Sequence, residues 1–293
     1  MASSPEAEYG LDAAQLREVL RFAGLRYADD PLTLIASGWD NDIWRLGEHR
    51  AVRIPRRALA DQLLRNEQRV LPAIAERLAP SGVVVPAPIH AGVPSERFPH
   101  PWSVVPWVSG VAAWHTPRPA RAAWASALAD ALRLLHVASR PDAPTNPYRG
   151  IPLSERAEAD AARFAAIDAP AAARAAWERA VAVPPYAGPA VWIHGDLHPG
   201  NLVVSGSRLA AIVDFGDVTG GDPAYDLAAA WLLFDARGRR LFQDRLAAPD
   251  DMLWVRARGW AAAVGAILLA QSDDRADYAA LGAEILAEVA AGD

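Results

Sequence analysis

Two segments of the chain hold the side chains whose types and spacing could do chemistry. VWIHGDLHPGNLVV (residues 191–204) sets His194, Asp196, His198 and Asn201 inside an apolar stretch, and AIVDFGDVTGGDPAYDLA (211–228) follows with Asp214, Asp217, Asp222 and Asp226. His194 and His198 are four apart, the spacing of a zinc pair on a helix, but Gly195 and the Pro199-Gly200 pair argue against a helix there and against zinc. An aspartate followed five residues later by an asparagine, on a loop running into a short hairpin, with a further aspartate heading DFGD, suits phosphoryl transfer instead. That reaction uses a carboxylate to accept the proton of an attacking hydroxyl and two oxygen ligands for a Mg²⁺ that bridges nucleotide phosphates. A strand-loop-strand arrangement would place Asn201 and Asp214 at adjacent ends of the hairpin, facing one metal. Turn and helix capping would explain each residue singly but not the set.

The elements that must position these residues change character near residue 110. Before it the strand-like pieces are LTLIAS (32–37), IWRLG (43–47), AVRIP (51–55), VVVPAPI (83–89) and WSVVPWV (102–108), the first three separated by the turns GWDND and GEHR. A leading helix has Leu16, Val19, Leu20 and Ala23 at helical spacing. In RAVRIP, alternation puts Ala51 and Arg53 on one face and Val52 and Ile54 on the other, a small residue beside a cation, which suits an adenine roof next to a phosphate clamp. The following helix has Leu63, Val70, Leu71 and Ile74 on its apolar stripe. Glu67 falls on the same stripe and needs a partner, while Pro72 is expected to end or kink the helix. After residue 110 the alanine-rich chain reads as helices at about 120–138, 154–167, 171–181, 223–234 and most of 251–290, interrupted by the strands NLVV and LAAIVD. RPDAPTNPYRG (140–150) reads as a loop. The fold class expected is α+β, with a small antiparallel-sheet lobe (1–108) followed by a larger, mainly helical lobe (109–293).

Composition narrows the partners. At 293 residues and 52% hydrophobic the chain can build a large core, and with no cysteine it has neither disulfides nor thiolate metal sites. All 29 basic residues are arginine, a compositional bias of the kind a GC-rich genome produces. A net charge of −6 argues against nucleic acid as a partner. Residues 250–293 hold eight acids against three arginines, which would welcome a cationic small molecule or simply form a solvated face. The start MASSPEAEYG lacks the basic and apolar run of a signal peptide, so a cytoplasmic location is expected. The longest apolar segment, GWAAAVGAILLA (259–270), is shorter than the roughly 20 residues of a membrane span and is expected to be a core helix.

HGDLHPGNLVV and AIVDFGDVTGGDPAYDLA closely resemble the motifs of the aminoglycoside phosphotransferase family, drug and small-molecule kinases with a two-lobed protein-kinase-like fold. SGWDNDIWRLG, AVRIPRR and PWSVVPWVSG are similar to the nucleotide-binding lobe of that family, in a branch that includes macrolide kinases. The resemblance runs from about residue 30 to 235. It implies that Asp196 is the catalytic base, Asn201 and Asp214 the Mg²⁺ ligands, and His194 a brace of the loop, with Asp226 bonding the loop's backbone. Arg53 stands where such kinases place lysine and would pair with Glu67, with Arg56 or Arg57 as other phosphate clamps. The turn SGWDND replaces a glycine-rich phosphate cover. Ser37, Gly38 and Asn41 could contact phosphates there, whereas Asp40 and Asp42 would repel them unless turned away. VVPWVSG resembles the hinge, with the Pro106 carbonyl and the Val108 amide meeting the purine. Asp217 and His198 are candidates to meet substrate, Asp222 is expected to cap the helix beginning at Pro223, and Trp39, Trp107 and Trp114 either stack on ligand or pack. The implied activity is transfer of the terminal phosphoryl of ATP or GTP to a hydroxyl of a small molecule, an antibiotic before a metabolic amino alcohol, amino acid or sugar. A catalytically inactive nucleotide-binding regulator is the remaining reading. No nucleic-acid or membrane partner is expected, and the oligomeric state is left open.

Overall fold

The computed structural model describes residues 6–246, 250–272 and 275–292. Helix α1 (Ala13–Phe22) starts where it does because Asp12 and Gln15 cap each other: the Asp12 carboxylate accepts the Gln15 N–H and the Gln15 side chain accepts the Asp12 N–H. Its buried Leu16, Val19 and Leu20 cover a five-stranded antiparallel sheet. The sheet is formed by β1 (Leu32–Ser37), β2 (Asn41–Leu46), β3 (Arg50–Pro55), β4 (His90–Gly92) and β5 (Trp102–Pro106), in the order β1-β2-β3-β5-β4. Between β3 and β4 lies the long helix α2 (Ala58–Leu78).

Two expectations meet the structure differently in this region. Helix α2 runs through Pro72 to Leu78, so of the end or kink expected there the end at the proline does not occur. A proline inside a helix costs about 3 kcal/mol, but Leu71, Ile74 and Leu78 are each nearly fully buried around it, and burying one such side chain returns about 1.5–3 kcal/mol. The packing outweighs the break. Residues 83–89 form no strand: they contribute one bridge, Val84 to Ala211, and the strand beside β5 is His90–Gly92. Pro86 and Pro88 remove the donors a sheet ladder would need there. On α2 the residue buried one turn before Glu67 is Leu64, while Leu63 is half-buried.

The remainder is mainly helical: β6 (Val111–Ala112), α3 (Ala125–Leu135), α4 (Ala157–Ala165), α5 (Ala171–Ala182), β7 (Val191–Ile193), β8 (Leu202–Ser205), β9 (Arg208–Ile212), β10 (Thr219–Gly221), α6 (Ala224–Leu227), α7 (Ala229–Leu233), α8 (Ala236–Gln243), α9 (Leu253–Gln271) and α10 (Ala276–Ala291). The helix expected from residue 120 begins as a 3₁₀ segment, Arg118–Trp124, and the one expected over 223–234 is divided at Ala228 into α6 and α7. Strands β6, β8 and β9 make one small sheet, and β7 pairs with β10. Helix α9 is long and apolar enough by composition to cross a membrane, yet its buried residues pack on α5, α6 and α10. A Cβ on Gly282 of α10 would lie 2.6 Å from the Leu269 N and 2.8 Å from the Gly265 O, so the α9–α10 crossing depends on the missing side chain. The far half of α2, from Val70 to Leu78, belongs to the core of this helical part, together with Val83 and Val85. The helix bearing Glu67 is therefore anchored on both sides of the cleft.

Candidate active site

The loop after β7 is built around two buried groups. His194, fully buried, donates from Nε2 to the Val213 carbonyl at 2.9 Å and accepts the Asp196 N–H on Nδ1 at 3.1 Å. Asp226 accepts the N–H of His194 at 2.7 Å and of Gly195 at 3.0 Å, as its resemblance implied. His136, at the end of α3, adds a third contact to Asp226 at 3.0 Å. Gly195 has φ +84°, and a Cβ there would sit 2.5 Å from the Asp217 carbonyl oxygen. The loop thus cannot shift without breaking buried hydrogen bonds.

Asp196 points from this frame into the cleft, its side chain 38% exposed. Its Oδ2 accepts the Asn201 Nδ2 at 3.1 Å and lies 3.6 Å from the His198 Nε2, while its Oδ1 lies 3.6 Å from the Arg149 Nη2. Burial pushes the carboxyl upward, but His198, Arg149 and His194 outweigh it and hold it well below the usual carboxylate range. The group is ionised at neutral pH and can accept a proton from a hydroxyl placed beside it.

Asn201 donates its Nδ2 also to the Asp196 carbonyl at 2.8 Å, which turns its amide oxygen away from the base. The Val213 N–H donates to the Asn201 carbonyl at 2.9 Å, so Asp214 stands one residue beyond Asn201 across the hairpin. Asp214 has φ +61° and is the one non-glycine residue with positive φ among those described. Such a conformation costs of order 1–3 kcal/mol and persists where the surroundings impose it. Its carboxylate is 53% exposed and accepts from the Arg53 Nη2 at 3.1 Å. Among the described residues no three His, Asp or Glu side chains form a metal cage. The pair fits Mg²⁺, which favours hard oxygens, needs only one or two protein groups and takes its other ligands from phosphate and water.

Arg53 lies between two acids, with Nη2 3.1 Å from Glu67 Oε1 and 3.1 Å from Asp214 Oδ1. The partner expected for Glu67 is present. Burial raises the Glu67 carboxyl to about 7, with Arg53 and the Phe215 N–H pulling the other way. Ala51 is buried beside Arg53 on β3. In the turn over the cleft, Asp40 pairs with Arg57 at 2.5 Å and Asp42 with Arg56 at 3.4 Å. Both acids are neutralised, and both alternative clamps are engaged by them. Ser37 and Gly38 are exposed, and the Gly38 N–H donates to the Asn41 carbonyl at 2.9 Å. Asn41 is buried with its Oδ1 lacking a hydrogen-bond partner. Pro106 and Val108 are half-buried at the end of β5, where the Trp107 N–H donates to the His49 carbonyl at 2.9 Å.

On the acceptor side the candidates are engaged by partners within the chain. Asp217 has both oxygens engaged: Asn146 Nδ2 donates to Oδ1 at 2.7 Å, and Arg149 donates from Nε and Nη2 to Oδ2 at 3.3 and 3.2 Å. Asp222 receives the Ala224 N–H at 2.9 Å, the expected cap, and also Arg256 Nε at 2.7 Å. His198 accepts the Gly200 N–H on Nδ1 at 3.0 Å, which directs its other nitrogen toward Asp196. Its ring lies 5.9 Å from Trp114 and 6.0 Å from Tyr278, which are 5.3 Å from each other. Trp39 and Trp107 instead lie under Arg57 and Arg45. Sequence reasoning missed Arg149, Asn146, His136 and Tyr278. Only Asn-Pro and Arg-Gly in NPYRG marked a turn, and nothing in those five residues distinguished the arginine from a solvated one.

A family model described as the phosphotransferase enzyme family matches residues 31–262. The chain belongs to this family. It is therefore a kinase-type enzyme, and its fold agrees. The GDP complex of aminoglycoside 2'-phosphotransferase-IIIa superposes with a TM-score of 0.67 at 18% identity, covering 96% of this chain and 99% of that one. The macrolide 2'-phosphotransferase MphH from Brachybacterium faecium gives 0.59 at 20% identity, covering 93% and 98%. ADP-bound aminoglycoside phosphotransferase APH(2'')-Ib gives 0.59 at 16%, covering 94% and 99%. Among curated proteins no relative matches the chain. At these identities the structural likeness of the phosphotransferase to its neighbours is one of fold.

Proposed function

We propose that this phosphotransferase moves the terminal phosphoryl of ATP or GTP, with Mg²⁺, onto a hydroxyl of a small-molecule antibiotic of the macrolide or aminoglycoside type, in the cytoplasm, and so confers resistance. The observation that carries the reading is the ionised Asp196, held by Asn201 and His198 within one loop of the Asn201–Asp214 oxygen pair. Asp196 orients the acceptor hydroxyl and takes its proton as the oxygen bonds to the γ-phosphorus. The bond from that phosphorus to the bridging oxygen breaks, and the electron pair leaves with the nucleoside diphosphate. Mg²⁺ at Asn201 and Asp214 would neutralise charge on the phosphate oxygens. Arg53, kept charged and buried by Glu67, is the protein's own phosphate clamp, and the Ser37 to Asn41 turn covers the phosphates. Pro106 and Val108 receive the purine, against the Ala51 roof.

Two features weigh on the acceptor. Trp114, His198 and Tyr278 form an aromatic edge beside the base, suited to the flat C–H face of a sugar or larger ring. Four of the eight acids in residues 250–293 are already paired within the chain: Asp250 with Arg256, Asp277 with Arg275, Glu284 with Arg118 and Glu288 with Arg239. The aromatic edge favours a ring-bearing acceptor over a small acyclic alcohol, and the four paired acids are not free to hold a cation. The test is nucleoside-diphosphate release by purified protein with Mg²⁺ and ATP or GTP, across macrolides, aminoglycosides and metabolic alcohols, with Asp196→Asn as control. Release with one drug class that disappears in the variant supports the proposal. Turnover with a metabolic alcohol alone transfers the function to that class, and nucleotide binding without turnover points to an inactive regulator.

A further inference from the structure

The loop between α3 and α4 brings to the cleft one cation that the catalytic motifs do not contain. Its seat is fixed by three hydrogen bonds to the segment around β10, by one within the loop and by close packing on β7. The Thr219 Oγ1 donates to the Pro144 carbonyl at 2.7 Å, and the Asp222 N–H to the Gly150 carbonyl at 2.9 Å. Asn146 Nδ2 donates to Asp217 at 2.7 Å while Asn146 Oδ1 accepts the Tyr148 N–H at 2.9 Å. Gly150, at φ +66°, passes so close to the strands that a Cβ would lie 2.5 Å from Ile193 Cδ1. A loop held this way can present a side chain as accurately as a strand can.

Arg149 uses that seat on three sides. Nη1 donates to the Tyr225 hydroxyl at 2.6 Å, Nε and Nη2 donate to Asp217 Oδ2, and Nη2 lies 3.6 Å from Asp196 Oδ1. The opposite oxygen of Asp196 is the one that Asn201 and His198 address. The two oxygens of the base are therefore distinguished by separate neighbours, one set within the catalytic loop and the other supplied from outside it. Only a planar fork with several donors can meet a hydroxyl and two carboxylates from one position.

We propose that Arg149 is a positioning residue for phosphoryl transfer: with Asp217 as its counter-ion and Asn146 as a strap, it sets the rotation of the Asp196 carboxylate and so the oxygen offered to the acceptor hydroxyl. The role rests on reading Asp196 as the base. A merely structural Arg149, neutralising Asp217 under the loop, would affect stability and leave turnover of the folded protein intact.

The experiment measures kcat, the KM of nucleotide and acceptor, nucleotide affinity and Tm of the full chain with MgATP or MgGTP, using the acceptor panel above and water as the slow default acceptor. Arg149→Met, Arg149→Lys, Asp196→Asn and the double variant Arg149→Met with Asp196→Asn are compared. Arg140→Met, which removes an exposed charge of the same loop paired with Asp142, is the control. Misplacing a reacting group by about 1 Å costs on the order of 100-fold in rate, so Arg149→Met is expected to lower kcat by about that factor with nucleotide affinity unchanged. Arg149→Lys is expected to recover part of the loss, and the double variant to be no slower than Asp196→Asn alone, because Arg149 acts through that carboxylate. Wild-type kcat in Arg149→Met, or losses that multiply in the double variant, would overturn the role. Should the methionine variant fail to fold, a lysine variant with wild-type kcat and Tm overturns it equally. A wild-type protein that releases diphosphate with no acceptor, water included, is a different failure: it removes the kinase reading itself, and this role with it.

Discussion

Two arginines organise the cleft, and they are held in different ways. Arg53 reaches from β3 to Glu67 on α2 and to Asp214 beyond β9, so its clasp crosses between the sheet and the helical part. Arg149 clasps Asp196 and Asp217 within the helical part and adds a neutral partner, Tyr225. In the first clasp the Glu67 side is 3% exposed and the Asp214 side 53% exposed. In the proposed reaction Asp214 would exchange Arg53 for Mg²⁺ while the buried pair persists. In the second, the counter-ion Asp217 is further tied by Asn146 and the arginine by Tyr225, so no single exchange frees it. A contact that must change hands in a reaction cycle is made once and at the surface, whereas one that must endure is made several times.

The sharpest break in this comparison comes from Asp196→Asn, which should reduce kcat by about 1,000-fold, in the range of a lost general base, with nucleotide affinity within about twofold of wild type. Comparable turnover in the variant would remove the carboxylate from the chemistry. Next in size, Arg53→Met leaves Glu67 buried without its cation. Breaking a buried pair from one side costs about 3–5 kcal/mol, so denaturant unfolding should show a loss of that order together with weaker nucleotide binding. If instead only the nucleotide KM rises, the clasp serves the ligand and not the fold. Tyr278→Ala tests the acceptor edge: an aromatic contact worth about 1.4 kcal/mol corresponds to a tenfold rise in acceptor KM, with nucleotide KM unmoved in a steady-state assay.

The smallest effect is one of pH. Burial raises Glu67 from 4.5 to about 7, so between those values the folded protein binds more protons than the unfolded chain. Stability from this group is then lost, not gained, as pH rises through that window. The Tm of Glu67→Gln relative to wild type should become more favourable from pH 5 to pH 8, measured by thermal denaturation at fixed ionic strength. A flat difference would mean that Arg53 keeps Glu67 ionised throughout.

Where a site is made by neighbours in sequence, the chain could be read directly. His194, Asp196, Asn201 and Asp214 meet because a three-residue strand, a glycine turn and a hairpin leave little choice, and the need of Glu67 for a partner followed from one acid on an apolar stripe. Where the structure departs from the sequence reading or goes beyond it, the causes are physical. Pro72 was expected to end or kink α2, and the helix continues past it because long-range burial of Ile74 and Leu78 outweighed the local break. Residues 83–89 have the branched side chains of a strand and lack the donors of one. Asp217, which the sequence left open between meeting substrate and capping a turn, is engaged by Asn146 and Arg149 from a loop whose position no local pattern specifies.

The chain's own order of residues determined the groups available to the proposed chemistry: an acid, an amide and a second acid on one loop and hairpin, and an arginine beside a small residue on a strand. Only the tertiary structure decided which of several arginines faces which acid. Arg56 and Arg57 are drawn to Asp42 and Asp40, Arg53 to Glu67 and Asp214, and Arg149 to Asp196 and Asp217. Charge pairing has no register of its own along a sequence. A guanidinium takes whichever carboxylate the packed backbone brings within reach, and that choice is made by the burial of the apolar residues around it.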